Sequence, residues 1–261
     1  LCDRRQRQMC IRDRFNTAVI FIAGKDITLR NLTIESTAGP GYLAGQALAV
    51  YAAADRLSCY NCRFTGWQDT IFNGDPMTCN MKKLMLPDFF QASEVPIVHK
   101  FYRNYFKDCY VCGDVDYIFG PNTAFFDHCE IHSIARVSEG KAYITAASTP
   151  AGQEFGLVFS HCRITGEEPD SVYLGRPWRD CAKTAFICCE LGDHICPEGW
   201  QNWGKVRAEV LSDYIEYGNF GPGADCSGRS PLSRCLVNPE VETYFSKENV
   251  LVGEDGWIPA E

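Results

Sequence analysis

A short recurring pattern constrains the fold of this chain more than any other feature. Asn, Asp, His or Cys precedes a buried-type residue, and an apolar residue follows two positions later. The copies are Asn31-Leu32-Thr33-Ile34, Asn61-Cys62-Arg63-Phe64, Asp108-Cys109-Tyr110-Val111, His128-Cys129-Glu130-Ile131, His161-Cys162-Arg163-Ile164 and Cys188-Cys189-Glu190-Leu191. Three residues before each central position stands another apolar side chain: Leu29, Cys59, Phe106, Phe126, Phe159 and Phe186. The central positions lie 30, 47, 20, 33 and 27 residues apart. A solenoid tolerates such uneven spacing, because insertions become loops on one face while each rung buries its apolar side by stacking on the next. The pattern therefore predicts an all-β chain wound as a right-handed parallel β-helix.

Local signals agree. Ala18-Val19-Ile20-Phe21-Ile22, Ile27-Thr28-Leu29 and Leu157-Val158-Phe159 are short, β-branched or aromatic runs bounded by Gly, Asn or Asp. Helical signals wait until the end, where Asn238-Pro239-Glu240 offers a cap, a proline at the first helical position and an acidic first turn. A short helix near 239–245 is expected, covering the C-terminal part of the solenoid with Trp257 packed nearby.

The 261 residues, 46% of them hydrophobic, suit one domain, since a β-helix grows in one dimension without splitting. The net charge is −8, and outside the N-terminus no run of Lys and Arg marks a nucleic-acid footprint. No apolar stretch is long enough to span a bilayer as a helix. Residues 1–14, LCDRRQRQMCIRDR, carry five Arg and two Asp, a charge of +3, with neither strand alternation nor a signal-peptide core. They read as a non-native, adapter-like segment, which leaves 15–261 as a single domain lacking its first rungs.

Fifteen cysteines invite a disulfide or zinc reading. Cys62, Cys109, Cys129, Cys162 and Cys189 occupy the central repeat position, where Leu32 stands in the first copy, so packing explains them as a ladder of small buried side chains. The pairs Cys59/Cys62 and Cys109/Cys112 have zinc spacing but lie inside rungs, without the tight turns that let two thiolates face one ion. An odd, scattered set of thiols points to a reducing compartment.

The repeat also aligns two acids. Asp69 in GWQDTIF lies seven residues after Cys62, and Asp116 in DVDYIFG lies seven after Cys109. On neighbouring rungs of a parallel sheet, equal offsets set the carboxylates side by side, about 4.8 Å apart along the hydrogen-bonding direction. Two carboxyls so close do not both ionise easily, so one keeps its proton and the spot holds an acid and a base. Gln68 adjoins Asp69 and Gln46 sits one rung earlier; amide donors there can stabilise a developing oxyanion, or simply cap strand edges. Arg176, in YLGRPW, can hold one carboxylate ionised or make a surface ion pair. Trp178 can offer a flat face to a sugar ring or pack.

The series GQALAV, GWQDTIF, GDVDYIFG, TAAST and YLGRPW, in this order over roughly residues 15 to 261, resembles the motif series of the pectin methylesterases, and the chain is similar to the bacterial type. The resemblance implies a pectin-lyase-like β-helix that removes methyl esters from galacturonate units without metal or organic cofactor. By motif, Asp116 would be the nucleophile, Asp69 the general acid and base, Gln46 and Gln68 the oxyanion donors, and Arg176 the residue that orients Asp116. Trp178, Tyr117 and Trp67 would contact substrate. The implied partner is methyl-esterified pectin (homogalacturonan), with no nucleic acid and no membrane, and the protein is expected to act as a monomer. The family role suggests secretion, against the thiol count. Asp114 stands where a small Thr is common, and the stretch 73–100 is expected to be a loop over the cleft. Two rivals are a pectin lyase or polygalacturonase, which would cut the chain, and a non-catalytic β-helix, which would bind pectin and release nothing.

Overall fold

The computed structural model describes residues 17–74 and 99–260. The segment 1–14 and nearly all of the stretch 73–100 lie outside the described residues. What is described is a right-handed parallel β-helix with three faces, every pairing between its strands being parallel.

The third face is a sheet of six short strands, Thr33–Glu35, Arg63–Thr65, Tyr110–Gly113, Glu130–Ser133, Arg163–Gly166 and Glu190–Leu191, stacked in chain order. The other two faces are continuous with each other because Val50–Tyr60 is long enough to serve both. Its first half pairs with Ile71–Asn73 and its second half with Arg103–Lys107. The first face then runs through Val115–Gly120, Ala142–Ala147 and Val172–Gly175. The second runs through Thr123–Asp127, Leu157–Ser160, Lys183–Ile187, Asp213–Tyr217 and Ser233–Leu236.

The repeat seen in the sequence is the corner between the second and third faces. Asn31, Asn61, Asp108, His128, His161 and Cys188, the first residue of each copy, all adopt the left-handed conformation, with φ between 49° and 56°. One such residue per coil turns the chain through the corner, and Asn and Asp accept that conformation more readily than other side chains. Immediately after it, the central cysteine points inward. From Cys109 onward each thiol donates to the carbonyl three residues before the previous rung's cysteine: Cys109 to Cys59, Cys129 to Phe106, Cys162 to Phe126 and Cys189 to Phe159, at 3.3–3.5 Å. Burial pushes the Cys59 and Cys162 thiols well up, so they stay neutral. These contacts are those of a packed ladder. Leu32, at the head of it, is 43% exposed.

A second ladder runs beside the first. The rings of Phe106, Phe126, Phe159 and Phe186 stack at 4.6, 4.7 and 4.5 Å with interplanar angles of 5–10°. That spacing is the distance between strands in a sheet, so each coil lays one ring on the last. Trp200 and Tyr214 continue the aromatic column toward the C-terminus.

Two buried ion pairs fasten the C-terminal part. Arg103 grips Asp55 through two nitrogens at 3.0 Å and reaches Asp255 and the Leu251 carbonyl. Arg229 grips Glu216, which also takes the indole N–H of Trp200. The helix expected near 239–245 is Glu240–Tyr244, with Asn238 accepting the Glu240 amide, and a second short helix, Lys247–Leu251, follows it. Trp257 packs on the same apolar cluster, as expected. Cys226 and Cys235 form a disulfide.

Candidate active site

The two acids share a register. On the first face Ile71 pairs with Ile118, and on the third Arg63 pairs with Tyr110; both pairs are 47 residues apart, as Asp69 and Asp116 are. The backbone ties them together, the Asp69 amide donating to the Val115 carbonyl at 3.0 Å. Both acids are buried, at 2% and 5% exposure, and both have positive φ, 66° and 51°. Their side chains are therefore turned off the ordinary alternation of a strand.

Asp116 sits in a β-bulge. Val115 pairs with Tyr143 and Ile118 with Thr145, so Asp116 and Tyr117 together face the single residue Ile144. A bulge re-aims side chains locally, and here Tyr117 and Ile118 both enter the core while Asp116 does not. Tyr117 is fully buried, and its hydroxyl is 2.9 Å from Ser133 Oγ. Substrate contact by Tyr117, expected above, is thus corrected: the ring faces the interior.

Arg176 reaches back across the strand Ala142–Ala147 and grips Asp116 with two hydrogen bonds, Nε to Oδ1 at 2.8 Å and Nη2 to Oδ2 at 2.7 Å. The guanidinium is held flat between two rings, its carbon 3.8 Å from the Tyr143 centroid and 3.7 Å from the Trp203 centroid. A planar cation clamped on both faces and forked onto a carboxylate has one orientation. Gly175, just before Arg176, lies close against the neighbouring strand, and a Cβ there would collide with Thr145 Oγ1. Nearby, Lys205 donates to the Pro177 carbonyl and lies 4.2 Å from the Trp203 ring; burial and the charges of Arg179 and Arg176 push its ammonium down. Burial raises the Asp114 carboxyl, whose Oδ1 accepts the Val115 amide at 2.8 Å.

The two glutamines stand next to the acids, one in the chain and the other in the register. Gln68 precedes Asp69, and its carbonyl accepts the amide of Ala47, the residue after Gln46, at 3.2 Å. The Gln68 side chain lies against Gly41, where a Cβ would clash with its carboxamide. Both glutamines are half-buried, as is Trp67. Trp178 packs edge-on against Phe72 and Phe119, at 6.4 and 5.6 Å, and Arg179 lies over its face at 4.9 Å. With Tyr51, these rings form an aromatic wall beside the acids.

Sequence reasoning did not single out Phe72, Phe119, Tyr143 or Trp203. For the two phenylalanines a signal was present, since each stands three residues after an acid. Trp203 carries no such mark, because the loop bearing it has no counterpart in the repeat.

The sequence profile of the family described as Pectinesterase matches residues 3–75 and 91–254. Pectinesterase 31 of Arabidopsis thaliana is 36% identical over 87% of this chain and 62% of its own length. Putative pectinesterase 11 of the same plant is 30% identical over 94% of this chain and 60% of its length. The chain thus spans about three fifths of these curated relatives. Among solved structures, pectin methylesterase from carrot superposes with a TM-score of 0.75 at 27% identity, covering 93% of this chain and 70% of that one. That of Aspergillus niger gives 0.68 at 27% identity, covering 91% and 67%. Plant and fungal proteins stand among these matches, so they do not single out the bacterial type.

Proposed function

This chain belongs to the pectinesterase family, and from that premise we propose that it removes methyl esters from the galacturonate units of pectin, releasing methanol. One observation carries the reading: Asp116, gripped at both oxygens by Arg176, stands in register with a second buried acid, Asp69. One carboxylate is oriented by a cation and a second buried acid stands in register with it, a pairing that suits a nucleophile and a general acid.

Asp116 attacks the ester carbonyl, while the side-chain amides of Gln46 and Gln68 donate to the oxyanion. Asp69 hands its proton to the departing methanol and then, as a base, activates the water that opens the acyl-enzyme anhydride. A free galacturonate carboxylate and one proton leave with the methanol. The pair works with one proton between its two members, so rate against pH is bell-shaped. Trp178 and the half-buried Trp67 supply flat apolar faces for sugar rings, and no step calls on a metal or an organic cofactor. The scheme takes the protein as acting as a monomer.

The Cys226–Cys235 disulfide supports work in an oxidising setting outside the cytoplasm. Eight of the ten free cysteines among the described residues are buried, so they are compatible with such a setting.

The test is methanol release from methylated pectin by the parent and by Asp116→Asn, with polymer viscosity followed in parallel. Release by the parent at constant viscosity, lost in the variant, is the expected result. Falling viscosity would replace the reading by a depolymerase, and a folded parent that binds pectin without releasing methanol would replace it by a binding protein.

A further inference from the structure

The corner ladder changes its chemistry along the solenoid. It begins with Asn31 and Asn61, whose amides bond to each other at 2.8 Å, and ends with His128, His161 and Cys188. His161 and Cys188 occupy consecutive rungs, fixed by the His161 amide on the Ile187 carbonyl at 3.0 Å. With φ of 53° and 52°, their side chains leave the corner in the same way. The next corner is Gly218, where a Cβ would lie 3.0 Å from Cys188 Sγ, so the glycine leaves the sulfur uncovered on that side. Glu242 arrives from elsewhere in the chain, on the helix Glu240–Tyr244.

We propose that His161 Nε2, Cys188 Sγ and the Glu242 carboxylate form a binding site for a thiophilic divalent metal such as Zn2+, with water at the fourth position. One donor atom from each of the three lies within 4.8 Å of the others. Nitrogen, thiolate and carboxylate are the donors zinc takes, with bonds of about 2.0–2.3 Å. Tetrahedral bonds of that length set donors about 3.3–3.7 Å apart. His161 Nε2 and Glu242 Oε1 are 3.7 Å apart, too long for a hydrogen bond and within reach of a shared ion. The other imidazole nitrogen is already engaged: Nδ1 is 2.9 Å from Ser160 Oγ, a partner that holds the ring and leaves Nε2 to the metal. His128 stacks on the His161 ring at 5.2 Å and 8°, restricting its rotation further, and its own Nδ1 is held by Asp127 at 2.6 Å.

Binding replaces the Cys188 S–H bond by a metal–sulfur bond and releases the proton to water. The ion then staples the C-terminal helix to the edge of the coils. This site is separate from the carboxylate pair, on the corner between the second and third faces rather than on the first.

The test uses the whole protein stripped of metal with a chelator, titrated with Zn2+ against a chromogenic indicator and with Co2+ by absorption. The parent should bind one Zn2+, and Co2+ should give a thiolate-to-metal charge-transfer band in the near ultraviolet. Cys188→Ala should abolish the band and weaken Zn2+ by at least about 100-fold, while Ser160→Ala, which removes only the supporting hydroxyl, should weaken it about 10-fold. Cys181→Ala changes the other partly exposed free thiol among the described residues and should change neither. Zn2+ should raise the melting temperature of the parent and not that of Cys188→Ala. Affinity and band that survive in Cys188→Ala or in His161→Ala, with circular dichroism showing a folded protein, would overturn the proposal. So would a parent that binds no stoichiometric Zn2+.

Discussion

Asp108 and Asp116 are eight residues apart, both aspartates, and both left-handed, with φ of 53° and 51°. Asp108 stands at an exposed corner between two faces, where the conformation turns the chain. Asp116 is inside a strand, where the same conformation opens a bulge and brings the carboxylate onto Arg176. At the corner the backbone needs a residue that accepts the twist, and Asn, His and Cys serve on other rungs. In the strand the twist exists for the side chain. One backbone shape therefore serves architecture in one place and chemistry in the other.

The sharpest break of that comparison is the same substitution at both positions. Asn keeps the left-handed preference and the size of the side chain while removing the charge. Asp116→Asn should lower turnover by about 10⁴-fold or more, as loss of a nucleophile does. Asp108→Asn should leave turnover unchanged. Equal losses at the two positions would mean that the corner, too, is part of the site.

A second break spares the acids and strikes the coils. Phe126 lies between Phe106 and Phe159 in the inner stack, and Phe126→Ala should destabilise the protein by about 3–5 kcal/mol in denaturant unfolding. Turnover per folded molecule should hold. A large fall in turnover at full folding would show that the stack sets the register of the acids as well as the stability of the coils.

The comparison has an electrostatic side. Asp116 is buried with a cation, whereas His194 is buried at 1% exposure with neither ring nitrogen hydrogen-bonded among the described residues. Burial lowers its pKa from 6.5 to about 4, so the folded protein keeps it neutral where the unfolded chain takes up a proton. Its contribution is whole above pH 6.5 and is lost as pH falls from 6.5 toward 4, at most about 3 kcal/mol. His194→Leu should flatten the stability profile in that window, read by denaturant unfolding at several pH values. An unchanged slope would assign acid sensitivity to other groups.

The smallest effect concerns the corner alone. Asp108→Ala places a side chain with no affinity for the left-handed region, at a cost of about 1–2 kcal/mol, and Asp108→Gly should cost less. The reverse order in melting temperature would show that the carboxylate, rather than the twist, matters there.

Much of this was legible in the sequence because it repeats. The corner residues, the cysteine ladder and the Phe stack each recur once per coil, and Asp69 and Asp116 were aligned by counting from the cysteines. Repetition was silent on departures from itself. The bulge at Asp116 shifts the alternation by one residue, so Tyr117 turns inward against expectation. The Trp203 clamp on Arg176 comes from a loop outside the repeat. Cys226 and Cys235 are also off the repeat, and spacing alone could not choose them from fifteen cysteines.

The thiol ladder gives this protein an internal clock. Cys62, Cys109, Cys129, Cys162 and Cys189 belong to successive coils, and each is sealed from solvent while its coil is closed. An alkylating reagent reaches a given sulfur only when that coil opens, so the order in which the five are labelled over time is the order in which the solenoid frays. Mass spectrometry of the labelled peptides would read that order in the unmodified protein, with no probe introduced.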